Sequence, residues 1–139
     1  MHKSESIAEL AKALSAFQKD VKQPSKDKVN PFFKSSYVPL ESVVEAITKV
    51  ANKHGLSFIQ YPMNQENKVG VVTVILHSSG EYIESEPIFA TPVKQDAQAT
   101  GSVITYLKRY SLSAMFGITS DEDDDGNLAS QKPKENIEF

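Results

Sequence analysis

An α+β domain is predicted by three features of the 139-residue chain: helix-period segments near the start, three β-like runs joined by short turns, and a long helix-period segment after them. The expected core is β-β-β-α, an antiparallel three-stranded sheet packed on a long helix, with N-terminal helices ahead of it. The length suits one compact domain with a single core. Residues 1–118 are expected to form that domain and residues 119–139 an acidic, disordered tail, because the latter are poor in large apolar groups and interrupted by Pro133.

The first helix is expected over about residues 5 to 21. Ile7, Leu10, Ala11, Leu14 and Phe17 recur at three-and-four spacing, and Ser6 and Glu9 have the spacing of a capping box. Residues 22–37, KQPSKDKVNPFFKSSY, hold two prolines and no sustained period, which marks a loop. Pro39 suits the first turn of a second helix with Val43, Val44, Ile47, Val50 and Ala51 on its face, and Gly55 is placed to end it.

Three strand-like runs follow: LSFIQYPM at 56–63, VGVVTVIL at 69–76 and EYIESEPIF at 81–89. Short turns between them imply a meander of order 1-2-3. The middle run is apolar at nearly every position, as a central strand would be, while the third carries Pro87, which an edge or strand end tolerates. The long helix is expected from about Gln95 to Phe116, stopped by Gly117, with Val103, Leu107, Tyr110 and Ala114 on the buried face.

Several function classes are disfavoured by composition. Cysteine is absent, which removes disulfides, thiolate metal sites and thiol nucleophiles. There is no apolar run near the roughly 18 residues of a membrane span, and the start MHKSESIAEL does not read as a signal peptide, so a protein that is not exported is expected. The net charge of −3 argues against a nucleic-acid partner until it is partitioned. Residues 1–118 carry 13 Lys or Arg against 11 Asp or Glu, giving +2, whereas residues 119–139 carry 2 against 7, giving −5. A body of +2 is still far from a strongly basic footprint, so local clusters must carry any binding.

Two such clusters occur. On the long helix, at about 100° per residue, Lys108 and Arg109 lie away from Val103 and Leu107, with Gln98, Gly101 and Thr105. Tyr106 is three residues before Arg109, and Tyr110 follows it. Arginine can grip phosphate with two hydrogen bonds, lysine adds a point charge, and an aromatic face stacks a base whatever its identity. Gly101 on the same face would permit close backbone approach. The plainer reading is a solvated Lys-Arg pair beside amphipathic tyrosines.

In the loop, Lys22, Lys26, Lys28 and Lys34 surround Phe32, Phe33 and Tyr37, with Asp27 the one opposing charge. Cations interleaved with aromatics suit a groove for a single strand. Here too a plainer reading exists, in which Phe32 and Phe33 plug the core and the lysines solubilise the loop.

The run DEDDDGN at 121–127 begins like a calcium-binding EF-hand loop, but its twelfth position is Lys132 and no exiting helix follows. Adjacent acids on a tail also lack the rigid geometry that a metal-dependent nuclease requires. His2, His54 and His77 show no ligand spacing, and neither a nucleophile elbow nor a P-loop occurs. No cofactor and no enzymatic activity are expected. The acidic run would then either compete with DNA for a basic groove or solubilise an assembly by repulsion.

The segments NPFFKSSYVPLESV at 30–43, ATGSVITYLKRYSLSAMFGI at 99–118 and DEDDDGN at 121–127 together resemble the ERF (essential recombination function) family of phage single-strand annealing proteins. The string G-S-x-x-T-Y-x-K-R-Y-x-L, here Gly101 to Leu112, is the most recognisable stretch. The resemblance implies a β-β-β-α core related to eukaryotic annealing proteins of double-strand-break repair. It implies ATP-independent annealing of single-stranded DNA, homo-oligomeric rings or filaments, and a role in phage recombination inside the bacterial cytoplasm. Family motifs fall on Tyr106, Lys108, Arg109 and Tyr110 in the helix and on Phe32, Phe33, Lys34 and Tyr37 in the loop. Lys26 and Lys28 join them as expected DNA contacts.

Two departures qualify the resemblance. Family members often continue into a further C-terminal region, and this body holds a single arginine, so one subunit offers few phosphate contacts and oligomerisation would have to multiply them. A host single-strand-binding protein is a candidate partner. The rival to the annealing reading is a protein-interaction module that recruits a host replication or repair factor through its acidic tail.

Overall fold

A computed structural model describes residues 1–25, 28–29 and 36–119, and it has an α+β architecture. The elements in chain order are β1 (His2–Lys3), α1 (Ala8–Asp20), β2 (Lys28–Val29), β3 (Ser36–Tyr37), α2 (Leu40–Ala51), β4 (Leu56–Gln65), β5 (Lys68–His77), β6 (Tyr82–Glu84), β7 (Ile88–Ala90) and α3 (Ala97–Phe116). A short 3₁₀ turn, Asn52–His54, extends α2. Among the described residues, no helix is long and apolar enough to cross a membrane.

Both glycine stops act as expected. Gly55 and Gly117 have φ of 72° and 75°, a left-handed conformation that costs a residue without a Cβ little. After Gly117 the Ile118 N–H bonds back to the Ser113 carbonyl at 2.9 Å, and the buried Ile118 side chain joins the core. The long helix starts two residues later than expected, because Asp96 caps it by accepting from the Ala99 N–H at 2.8 Å.

The capping box at Ser6 and Glu9 does not form. Ile7 packs against the core and occupies the N-cap position, so α1 begins at Ala8. Ser6 Oγ accepts from the Ala8 N–H at 3.2 Å, while Glu9 turns to Lys12. The cap comes from the sheet side instead: Glu81 Oε1 accepts from the Leu10 N–H at 2.8 Å.

The sheet is antiparallel with five strands rather than three. β4 and β5 form a ten-residue ladder from Leu56 opposite His77 to Gln65 opposite Lys68, with β5 central as its apolar composition predicts. The expected third strand is two pieces. Val74 faces Glu84 and Val71 faces Ile88, so three steps along β5 meet four along the β6–β7 segment, and one extra residue bulges out near Pro87. Proline has no N–H to give the ladder, and Ser85 covers the gap: its Oγ accepts from the Thr73 N–H and its own N–H donates to the Thr73 carbonyl. The bulge keeps Ile83, Ile88 and Ala90 on one face. β1 adds an outer strand beyond β6, with His2 opposite Glu84. The Met1 amino group donates to Glu86 at 2.7 Å and holds that carboxyl below its usual range. A two-residue signal of this kind is too short for periodicity to reveal.

Strand alternation sorts the side chains. Leu56 and Phe58 of β4, Ile75 of β5 and Ile83 of β6 meet Leu10, Phe17, Val43, Ile47, Leu112 and Phe116 from the three helices. The Phe116 ring lies edge-on to both Phe17, at 5.2 Å, and Phe58, at 5.9 Å. A second cluster, Val69, Val71, Val103 and Leu107, lies under the first half of α3. Burial therefore shifts around α3. Val103 and Leu107 are buried as expected, but Tyr110 and Ala114 are exposed and Ser111, Leu112 and Phe116 replace them, since the second half of the helix must face α1 and α2 as well as the sheet.

No described helix covers the opposite face of the sheet. Ile59, Tyr61 and Met63 alternate along β4 on that side and are 53%, 41% and 39% exposed. They flank Val72 and Val74, which lie deep in the sheet on the same face.

Candidate nucleic-acid interface

Helical geometry places Tyr106, Arg109 and Tyr110 on one side of α3, three and four residues apart, so their side chains meet. The two tyrosine rings are 4.5 Å apart between centroids. The Arg109 guanidinium lies over Tyr110 at 4.8 Å and beside Tyr106 at 5.7 Å. Its third aromatic neighbour comes from the other cluster: the Tyr37 ring is 4.7 Å away. One cation thus gathers three phenol rings from two parts of the chain that the sequence keeps far apart.

A guanidinium is a planar fork of N–H donors whose geometry suits phosphate and whose faces suit aromatic rings. Arg109 is half-buried and Tyr110 exposed, so the cluster opens to solvent.

The described ends of the loop both meet the second half of α3. At its first leg, Gln23 Nε2 donates to the Gly117 carbonyl at 3.2 Å, and Gln23 Oε1 accepts from the Thr119 N–H at 2.7 Å. At its second leg, Tyr37 sits on Arg109 and Val38 is fully buried. Arg109 and Gly117 are eight positions apart, about 12 Å along the helix axis. Gln23 and Tyr37, which flank the lysine-bearing segment, therefore meet α3 at either end of that span. Lys28 is opposite Tyr37 in the β2–β3 register. Lys26, Phe32, Phe33 and Lys34 lie outside the described residues, as does the acidic run at 121–127.

Lys108 is half-buried and has no ion-pair partner among the described residues. Its carbonyl accepts from Gln60 Nε2 at 3.1 Å, and the same nitrogen donates to Thr73 Oγ1 at 2.8 Å. Thr73 Oγ1 in turn hydrogen-bonds with Ser111 Oγ at 2.6 Å, in a fully buried position. This polar layer separates the two apolar clusters and fixes the rotation of α3 against the sheet, because a slip would leave buried groups unpaired. Sequence reasoning missed Gln60. Its signal was a carboxamide on the inward row of β4 after Leu56 and Phe58. It also missed Gln23, whose surroundings offered no pattern.

Gly101 lies on the outer face with open space around it: a Cβ added there would meet nothing within 4 Å. The backbone of α3 is thus accessible one to two turns before Lys108.

A family model described as the ERF superfamily matches residues 10–138. No curated protein and no solved structure matches the chain. The matched span runs from within α1 past the end of α3 and contains Tyr37, Tyr106, Lys108, Arg109 and Tyr110, so the chain belongs to the ERF superfamily.

Proposed function

We propose that this protein binds single-stranded DNA and brings complementary strands together without nucleotide hydrolysis, in phage recombination. Membership of a family of recombination and annealing proteins supports the class of activity. The observation that carries the reading to particular residues is the Arg109 cluster, where a guanidinium and three tyrosines from the loop and the helix meet at a solvent-facing surface. Arg109 and Lys108 hold phosphates, with Lys26, Lys28 and Lys34 extending the positive path along the loop. Tyr37, Tyr106 and Tyr110, joined by Phe32 and Phe33, offer faces to unstacked bases. The protein supplies order and proximity rather than covalent chemistry.

A single arginine per chain makes assembly part of this reading, since affinity for the backbone grows with the number of phosphates neutralised. Copies of the chain associate through the apolar sheet face at Ile59, Tyr61 and Met63. The direct test mixes two complementary labelled oligonucleotides without ATP. Pairing faster than the spontaneous rate is expected, and no acceleration at any protein concentration would reject annealing.

A further inference from the structure

A trough runs between β4 and α3, away from the Arg109 cluster. Its β4 wall is the inward row Gln60, Pro62 and Asn64, and its α3 wall is the row Lys108, Ile104 and Thr100, at four-residue spacing. The Gln60–Lys108 hydrogen bond joins the two walls at one end. The two rows have matching lengths, about 14 Å at ~3.4 Å per strand residue and about 12 Å at ~1.5 Å per helix residue. From Pro62 and Ile104 to the β4–β5 turn the two rows line an open cavity of about 370 Å³, to which Asn64 and Thr100 both contribute.

The chemistry of this cavity is uneven. Pro62, Pro92, Val69 and Ile104 form apolar walls, while Asn64 and Gln95 bring carboxamides that both donate and accept hydrogen bonds. Lys68 provides a positive charge at the lining and Glu66 a negative one. Glu66 holds φ of 57° at the first residue of the two-residue turn between Gln65 and Lys68, where glycine is the usual occupant. A carboxylate there disfavours a phosphate inside the cavity, whereas a flat neutral ring with polar edges suits both the walls and the carboxamides.

We propose that this cavity is a nucleobase subsite, which takes one base turned out of the stack of a bound single strand. The inference rests on the DNA-binding reading given above. The strand's backbone passes Lys68 at the mouth and follows the trough toward Lys108, a length of roughly four stacked nucleotides at about 3.4 Å each. Carboxamides accept the edge of any base, so the subsite does not select sequence. By unstacking one base per passage it divides the strand into short segments, each presented for pairing.

The experiment uses an oligonucleotide carrying 2-aminopurine between adenines, whose emission is quenched while it is stacked, and a terminal dye whose anisotropy reports binding. On saturation with the unaltered full chain, emission should rise about twofold, since roughly one base in four would be unstacked. Thr100→Phe fills the cavity and should abolish the rise while weakening binding about tenfold. Asn64→Ala, at an exposed rim position, should reduce both effects without disturbing the core. Binding with no rise in emission, or a rise unchanged in both variants, overturns the subsite and leaves the DNA-binding reading intact. Absence of any anisotropy change overturns both.

Discussion

The Arg109 guanidinium lies 4.7 Å from the centre of the Tyr37 ring, and this contact seats the end of the loop on the outer side of α3. A cation over an aromatic face contributes about 0.5–1 kcal/mol when exposed and about 2 kcal/mol when desolvated. With three rings around one half-buried guanidinium, the contact stabilises a shape as well as supplying a charge.

Tyr37→Leu should therefore act on both stability and binding. The loss of the ring should lower unfolding free energy by about 1 kcal/mol in urea titration. Affinity for oligonucleotides should fall by more than that loss of folded protein accounts for, because a stacking face disappears and the loop's second leg loosens. Unchanged affinity would remove Tyr37 from the interface.

Lys108→Ala combined with Arg109→Ala should weaken binding equally across sequences. The slope of log affinity against log salt should decrease by about one to two counterions per subunit. Arg109→Lys retains the charge but loses the planar group between the rings, so it should keep the slope and still lose affinity. A slope identical to the unaltered protein in the double variant would place the phosphate contacts elsewhere.

Gly101→Ala separates two roles of one surface position. Open space around it means the methyl group adds no clash, and the helix should gain about 0.5–1 kcal/mol in thermal or urea unfolding. If a strand approaches the α3 backbone there, oligonucleotide affinity should drop in this more stable variant. Equal affinity would show that the strand keeps its distance.

The core offers a contrast between two hydroxyls on α3. Ser113 Oγ is buried and has no hydrogen-bond partner among the described residues, so Ser113→Ala should stabilise the fold by about 1 kcal/mol. Ser111 Oγ is bonded to Thr73, and Thr73→Val should cost about 1–3 kcal/mol by stranding Ser111 and removing one of the two acceptors of Gln60 Nε2. Chemical denaturation of the two variants under one buffer reads the opposite signs directly.

Assembly can be tested by charging the uncovered sheet face. Ile59→Lys with Met63→Lys places two cations on exposed positions, so folding should persist while the mass of the oligomer in solution falls. Retention of the full mass would assign the interface to another surface.

The elements themselves were legible in the chain because their causes are local. Three-and-four spacing found α1, α2 and α3, β-like runs between turn residues found β4 and β5, and glycine marked the stops at Gly55 and Gly117. The basic and aromatic residues of the loop and the helix could likewise be identified, but as two separate clusters. Only the tertiary structure put Tyr37 against Arg109, tied Gln23 to the end of α3, and supplied the α1 cap from Glu81. The same holds for the bulge at Ser85–Pro87 and for the His2–Lys3 strand, which exist because a neighbouring strand offers a register for them. Periodicity and turn chemistry act over a few residues, whereas these contacts depend on where the packed core returns distant parts of the chain.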